Sequence, residues 1–257
     1  MNNNHPDTWK FTSNNKPGMN TILSPEKSNS KNTWIFRLNL LKDQTYHLID
    51  NLLELNAIVI RGHIKITHNS EPLKLNELDS FYLPSKQEVK IEANKNTVLY
   101  IGGGPCEGIG RFYVREYNPD LKDGNIVQVH GKAPYRRDVF MTLNQEVPAS
   151  RLICGITRGE DGGWTSWPPH QHSKELEEAY FYFDIPEPYQ VLQLLSRHPG
   201  KVESINLVGS GDCIFIPEGY HPTIAMPGSK SCYFWVMVAR SRKLRRYDLA
   251  VNDPSFD

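Results

Sequence analysis

GDCIFIPEGYH, residues 211–221, decides the reading of this chain. Gly211 and Asp212 are turn residues, and the apolar run CIFI that follows is the length of a short buried strand. Pro217 cannot donate to a sheet ladder and ends the strand. Gly219 shapes a turn that delivers His221 at the strand's end. The wider segment 207–238, LVGSGDCIFIPEGYHPTIAMPGSKSCYFWVMV, follows one order of elements: an acidic turn, an apolar strand ending in proline, a loop, a strand, a polar turn and a strand. Residues 75–101, LNELDSFYLPSKQEVKIEANKNTVLYI, follow the same order. Earlier in each half an acidic residue precedes an apolar strand, Glu54 before LNAIVIRG and Glu178 before AYFYF. A repeat of this kind predicts two similar β units in one chain, with the boundary near residues 118–146.

The rest of the sequence agrees. From Trp34 onward short apolar runs such as TWIFRLNLL, AIVIRGHIKIT and RLICGIT alternate with Gly, Pro, Asn and Asp turns, which predicts an all-β sandwich or barrel. No segment carries a long helical period. The stretch YNPDLKDGN and the tail RRYDLAVNDPSFD read as loops. Residues 1–31 read as a loosely tied polar arm, 32–130 as a first unit and 131–257 as a second.

Composition narrows the function. The 257 residues hold 29 Lys plus Arg and 29 Asp plus Glu, a balance that argues against nucleic acid or a membrane surface as partner. No apolar run approaches the roughly 20 residues of a membrane span. The polar start, MNNNHPDTWKFTSNN, has no apolar core of a secretory signal, so a cytoplasmic setting is expected. Cys106, Cys154, Cys213 and Cys232 form no CxxC and read as reduced, inert thiols.

The second unit carries the chemistry, in WPPHQHSKELEEAYFYF, residues 167–183. His170 and His172 are two apart, so on extended backbone they share a face. Glu178 opens the next strand with Tyr180 and Tyr182 on its side, while Ala179, Phe181 and Phe183 take the other. Phe181 and Phe183, on an outer face, predict a homo-oligomer. Three imidazoles (His170, His172, His221) and a carboxylate suit a divalent transition metal. Glu177 competes with Glu178 as the carboxylate; Glu178 is favoured because Glu177 would face the other layer or solvent. Tyrosines or backbone carbonyls would accept from the second imidazole nitrogens. The first unit has no HxH before Glu54 and no histidine after Pro84, so it is expected to hold no metal.

The form G-x5-P-x-G-x2-H from Gly211 to His221, with HxH and a downstream glutamate before it, resembles the two cupin signatures. The implied fold is a bicupin, two jelly-roll-like β-barrels in one chain. The run GGWTSWPPHQH, then LEEAYFYF, then PEGYHPTIAMPG, with GKAPYRRDVFMTL upstream and RYDLAVNDPSF at the end, resembles the 5-deoxy-glucuronate isomerases of inositol catabolism. The related 4-deoxy-5-keto-uronate isomerases share the two-barrel layout and are the nearest alternative. An iron dioxygenase of the same fold and a non-enzymatic sugar-acid-binding cupin are further ones.

The resemblance implies an aldose–ketose isomerase acting on a small-molecule sugar acid. A metal on His170, His172, Glu178 and His221 would polarise the carbonyl and stabilise an enediolate. By resemblance zinc comes first, with manganese, iron and nickel open. Tyr180, Tyr182 and a bound water are the candidates for moving the proton. Arg151, with Arg136 and Arg137 as alternatives, is the candidate for the substrate carboxylate. Trp164, Trp167 and Tyr220 are candidate pocket walls.

Overall fold

The computed structural model describes residues 5–256, and among them there are strands and three short 3-10 turns but no α-helix. The sheets fall into two sandwiches. In the first, a six-stranded antiparallel sheet has the spatial order Tyr113–Arg115, Ser80–Leu83, Leu53–Arg61, Thr97–Pro105, Trp34–Leu40, Gly18–Leu23. It faces a four-stranded sheet of Thr45–Ile49, Glu88–Ala93, Ile64–His68 and Glu71–Leu75. Leu38, Leu55, Ile66, Phe81, Val89 and Leu99 fill the space between them.

The second sandwich repeats the plan. Its seven-stranded sheet runs Lys10–Thr12, Asp212–Ile216, Leu176–Tyr182, Lys230–Ala239, Leu152–Asp161, Arg137–Leu143, Val127–His130. The facing sheet holds Trp164–Thr165, Thr223–Ala225, Val191–Leu195 and Ser204–Val208. Ile153, Leu176, Tyr180, Ile214 and Trp235 belong to its core. The alternation read from AYFYF holds: Tyr180 and Tyr182 point into this core, while Ala179, Phe181 and Phe183 point out of its back.

That back is not free. The two large sheets pack against each other through Ile35, Tyr82, Tyr100, Cys154, Phe181 and Phe234. Phe181 stacks on Tyr100 with ring centroids 3.5 Å apart. The ground for a homo-oligomer is thereby corrected, because Phe181 and Phe183 are spent inside the chain, joining its halves. The run Gly102-Gly103-Gly104 belongs to the same junction. A Cβ at Gly102 would lie 2.5 Å from Val236, and one at Gly104 would lie 2.9 Å from Val238, so glycine lets the central strands of the halves approach.

Three further expectations are corrected. The segment 1–31 is not a loose arm where it is described: Gly18–Leu23 extends the first sheet, and Lys10–Thr12 crosses to pair with Asp212–Ile214 of the second. The second sandwich also begins before residue 131, since Val127–His130 pairs with Arg137–Phe140. Within the repeat, Glu54 corresponds to Glu177 rather than Glu178. Each is the second residue of its strand, opposite Gly104 and Val238 respectively. Leu55 therefore stands where the second half has Glu178.

Glu54 and Glu177 are reciprocal clasps. Glu177, 1% exposed, accepts from the backbone N–H of Lys31 and Asn32 and from the Thr33 hydroxyl. It fastens the chain just before the first half's Trp34 strand. Glu54, fully buried, accepts from the N–H of Ser150, Arg151 and Leu152 and from the Tyr82 hydroxyl. It fastens the chain where the second half's Leu152 strand begins.

Candidate metal centre

His172, Glu178 and His221 meet inside the second sandwich, with one ligand atom from each lying within 4.8 Å of the others. Each arrives by a local device. Pro168 and Pro169 lead into the two-residue strand His170–Gln171, and the His172 carbonyl accepts from the N–H of Glu175 and Leu176 to turn the chain. Glu178 sits on the long central strand. His221 follows Gly219, whose φ is +89° and whose Cβ, if present, would lie 2.1 Å from the Ser196 carbonyl oxygen. Only glycine fits that turn, which is the physical reason for the glycine in the stretch 211–221.

The donor set fits a metal ion. Glu178 Oε2 lies 2.9 Å from His172 Nε2 and 3.1 Å from His221 Nε2. The latter pair is too poorly aligned for a hydrogen bond, so His221 Nε2 is buried without a partner. Its Nδ1 donates to the Gly219 carbonyl at 2.9 Å, which leaves the Nε2 lone pair facing the carboxylate. His170 Nδ1 is likewise 3.1 Å from the Pro168 carbonyl. Backbone carbonyls, not tyrosines, thus take the outer nitrogens of these two. His170 shares the cavity but lies outside the close group of three, its ring centroid 4.9 Å from that of His221.

Burial tends to raise the Glu178 carboxyl, but the two imidazoles outweigh it and hold it at about 2. Burial and the neighbouring His221 and His172 push His170 down to about 3. The sign follows. An unfolded chain takes up a proton at His170 below its ordinary 6.5, whereas the folded chain resists until about 3. Stability of the metal-free protein is therefore expected to fall as pH drops from 6.5 toward 3. Glu178 adds to the fall below 4.5, its ordinary value. Thermal midpoints across this range should drop steadily for the wild type and less steeply for His170→Gln.

The group opens on a cavity of about 210 Å³. Tyr180, Tyr233, Trp167, Arg137, Tyr247 and Asn252 are among its walls. Tyr180 Oη is 2.6 Å from Ser166 Oγ, which is 3.2 Å from Tyr233 Oη. Ser166 holds a left-handed φ of +52°, unusual for a residue other than glycine, to sit between the two phenols. Burial pushes the Tyr180 phenol well above its ordinary value, so it stays protonated at neutral pH.

Two of the three candidate catalytic residues lie elsewhere. Tyr182 is corrected from the pocket wall to the layer behind it. Its hydroxyl donates to Gln193 Oε1 at 2.6 Å, and Gln193 Nε2 donates to the His221 carbonyl at 2.9 Å. Arg151 is corrected from the cavity altogether: its guanidinium pairs with Glu107 and donates to the carbonyls of Ala239 and Arg240. Arg136 pairs with Asp138 and Glu160. Arg137 does line the cavity, its guanidinium making one hydrogen bond among the described residues, 3.3 Å, to the Tyr135 carbonyl. Trp167 is a wall, but Trp164 and Tyr220 line a separate apolar cavity of about 160 Å³.

Sequence reading missed Ser166, Tyr233 and the tail. The tail is not a free loop. Val251–Asn252 pairs with His170–Gln171, and the Asp253 N–H donates to the Pro169 carbonyl. Its resemblance to an NDP segment was the one signal.

Two packed β-sandwiches, one with a buried two-histidine, one-glutamate group opening on a cavity, define a two-barrel cupin with a candidate metal centre. Residues 9–255 match the KduI/IolB family, and the chain belongs to it. The 5-deoxy-glucuronate isomerase of Geobacillus kaustophilus is 27% identical over 185 residues, covering 69% of this chain and 64% of that protein. That of Bacillus subtilis is 28% identical over 262 residues, 93% of each. Among solved structures, an IolB-like protein from Salmonella typhimurium superposes with a TM-score of 0.81 at 22% identity, covering 96% of this chain and 97% of that one. Oxalate decarboxylase from Bacillus subtilis, at 13% identity, gives 0.63 over 95% and 79%. These structures share the fold. No helix among the described residues is long and apolar enough to cross a membrane.

Proposed function

We propose that this protein is a metal-dependent aldose–ketose isomerase that converts 5-deoxy-glucuronate to 2-deoxy-5-keto-gluconate in myo-inositol catabolism. One observation carries the reading: the buried group of His172, Glu178 and His221 opens on a cavity that also presents a protonated phenol, Tyr180, and a lightly bonded cation, Arg137. The chain is similar to proteins named for this activity. His172, Glu178 and His221, with His170 as the fourth, would hold a divalent ion, zinc first. Bound there, it would supply Lewis acidity toward the substrate carbonyl. Four free cysteines, three of them buried, accord with a reducing cytoplasm.

The remaining roles belong to the chain. Arg137 binds the substrate carboxylate, its planar fork matching the two oxygens. Tyr180 donates to the substrate oxygen that gains charge as the proton leaves the neighbouring carbon, and Ser166 and Tyr233 keep its hydroxyl aimed. The direct test is turnover of 5-deoxy-glucuronate by the purified protein without oxygen, with elemental analysis of the same sample. A protein that binds the sugar acid but never isomerises it sinks the reading; a need for oxygen favours a dioxygenase.

Two substitutions separate the roles. Arg137→Gln is expected to raise KM about 10- to 100-fold with a smaller change in kcat, since hydrogen bonds to a charged group are worth about 1.5–3 kcal/mol. Tyr180→Phe is expected to lower kcat on the order of 100-fold with KM nearly unchanged. Steady-state kinetics on each variant, with circular dichroism to verify folding, checks both.

A further inference from the structure

A second cavity, of about 660 Å³, lies at the junction of the two halves and shares no lining residue with the metal centre. Its volume is in the range of small-molecule sites. Three arginines line it: Arg37 from the first sandwich's Trp34 strand, Arg61 from the end of the Leu53 strand, and Arg158 from the second sandwich.

Arg37 is the informative one. It retains 9% of its surface, yet among the described residues it has no carboxylate partner. Neutral oxygens hold its guanidinium instead: Asn39 Oδ1 at 2.9 Å, Ser13 Oγ at 2.8 Å and Asn15 Oδ1 at 2.5 Å. It also lies over the Tyr100 ring, 5.9 Å from the centroid. Gly211 leaves room beside it, because a Cβ there would sit 3.3 Å from Arg37 Nη1. The Arg61 side chain forms no ion pair or hydrogen bond among the described residues, is exposed, and faces the same space. Buried charges are ordinarily paired, since desolvation of an unpaired one costs several kcal/mol. Here a fixed, uncompensated cation is built into a cavity beside a second cation that is free to move.

The acids around the cavity do not neutralise this pair. Glu77 Oε1 accepts from the Gly62 N–H at 2.8 Å, Asp184 faces Arg158 at 3.4 Å, and Glu187 is exposed. They do disfavour a polyanion. We infer that the junction cavity is a binding site for a small oxyanion, a carboxylate or phosphate group seated between Arg37 and Arg61. The site touches the catalytic half directly. Tyr100 donates to the Tyr182 carbonyl at 3.1 Å and stacks on Phe181, both on the strand that carries Glu178.

The experiment is calorimetric titration of the full-length protein with inorganic phosphate and, separately, with D-glucuronate, every sample also carrying Arg137→Gln so that the proposed substrate site, which shares no lining residue with this cavity, does not contribute. The variants Arg61→Gln, Arg61→Glu and Arg37→Gln are titrated alongside. Saturable binding of either oxyanion is expected, at least tenfold weaker in Arg61→Gln and lost in Arg61→Glu, with metal content and thermal midpoint unchanged. Binding of phosphate alone identifies a phosphate ligand, and binding of glucuronate identifies a carboxylate. Arg37→Gln should also abolish binding; if it fails to fold, the exposed Arg61 pair carries the test. The inference is overturned if neither oxyanion binds, or if binding is undiminished in Arg61→Glu.

Discussion

His221→Ala is expected to release the divalent metal and lower kcat/KM by at least on the order of 1000-fold, while the protein stays folded. Of the candidate ligands, His221 has the least freedom to be replaced. Its side chain is fully buried, its Nδ1 is fixed by the Gly219 carbonyl, and its Nε2 has no other partner. Polarisation of a carbonyl by a metal is worth several kcal/mol, and each 1.4 kcal/mol is about tenfold in rate. Folding should survive, because the sandwich core of Leu176, Ile214 and Trp235 does not depend on this side chain. Elemental analysis, kinetics and a thermal melt of one preparation decide it. A variant that keeps its full metal content would remove His221 from the centre. Full activity without metal would instead remove the Lewis acid from the reaction.

Glu54→Ala is expected to cost about 3–5 kcal/mol of stability with the metal ligands untouched. Its two oxygens accept from three backbone N–H groups, Ser150, Arg151 and Leu152, and from the Tyr82 hydroxyl. Burial pushes this carboxyl up, and the four donors oppose that by favouring its charged form. Alanine would strand those buried donors at the point where the two halves join. Glu54→Gln should lose less, because an amide oxygen still accepts but its NH2 faces donors. Urea denaturation should show the midpoint order wild type, Gln, Ala. The same order is expected for Glu177, which clasps residues 31–33 in the same way. Equal midpoints for wild type and Glu54→Ala would make the clasp incidental.

The readings that held rest on local physics. Proline and glycine at 217 and 219 end a strand and force a turn because of their own backbones, so the position of His221 was legible in eleven residues. Alternation along AYFYF placed Tyr180 and Phe181 on opposite faces because strand side chains alternate. Glu178 could be preferred to Glu177 by the same parity. Of the three imidazoles and one carboxylate proposed from the sequence, the fold brings His172, His221 and Glu178 into one close group and leaves His170 beside it.

The misreadings came from partners distant in the chain. Phe181 looked outward because alternation tells which face a residue takes, not what covers that face; Tyr100, from the other half, covers it. Arg151 and Arg137 are the same residue type in similar strand contexts. One is neutralised by Glu107 and two carbonyls, while the other is left to the cavity. The ring of Tyr233 and the backbone of Ser166 reach Tyr180 only after the sheets close. Local sequence thus determined the elements and their faces, because propensity and alternation act between near neighbours. The tertiary structure decided which charges are spent and which are available, because that depends on long-range packing that alternation does not encode.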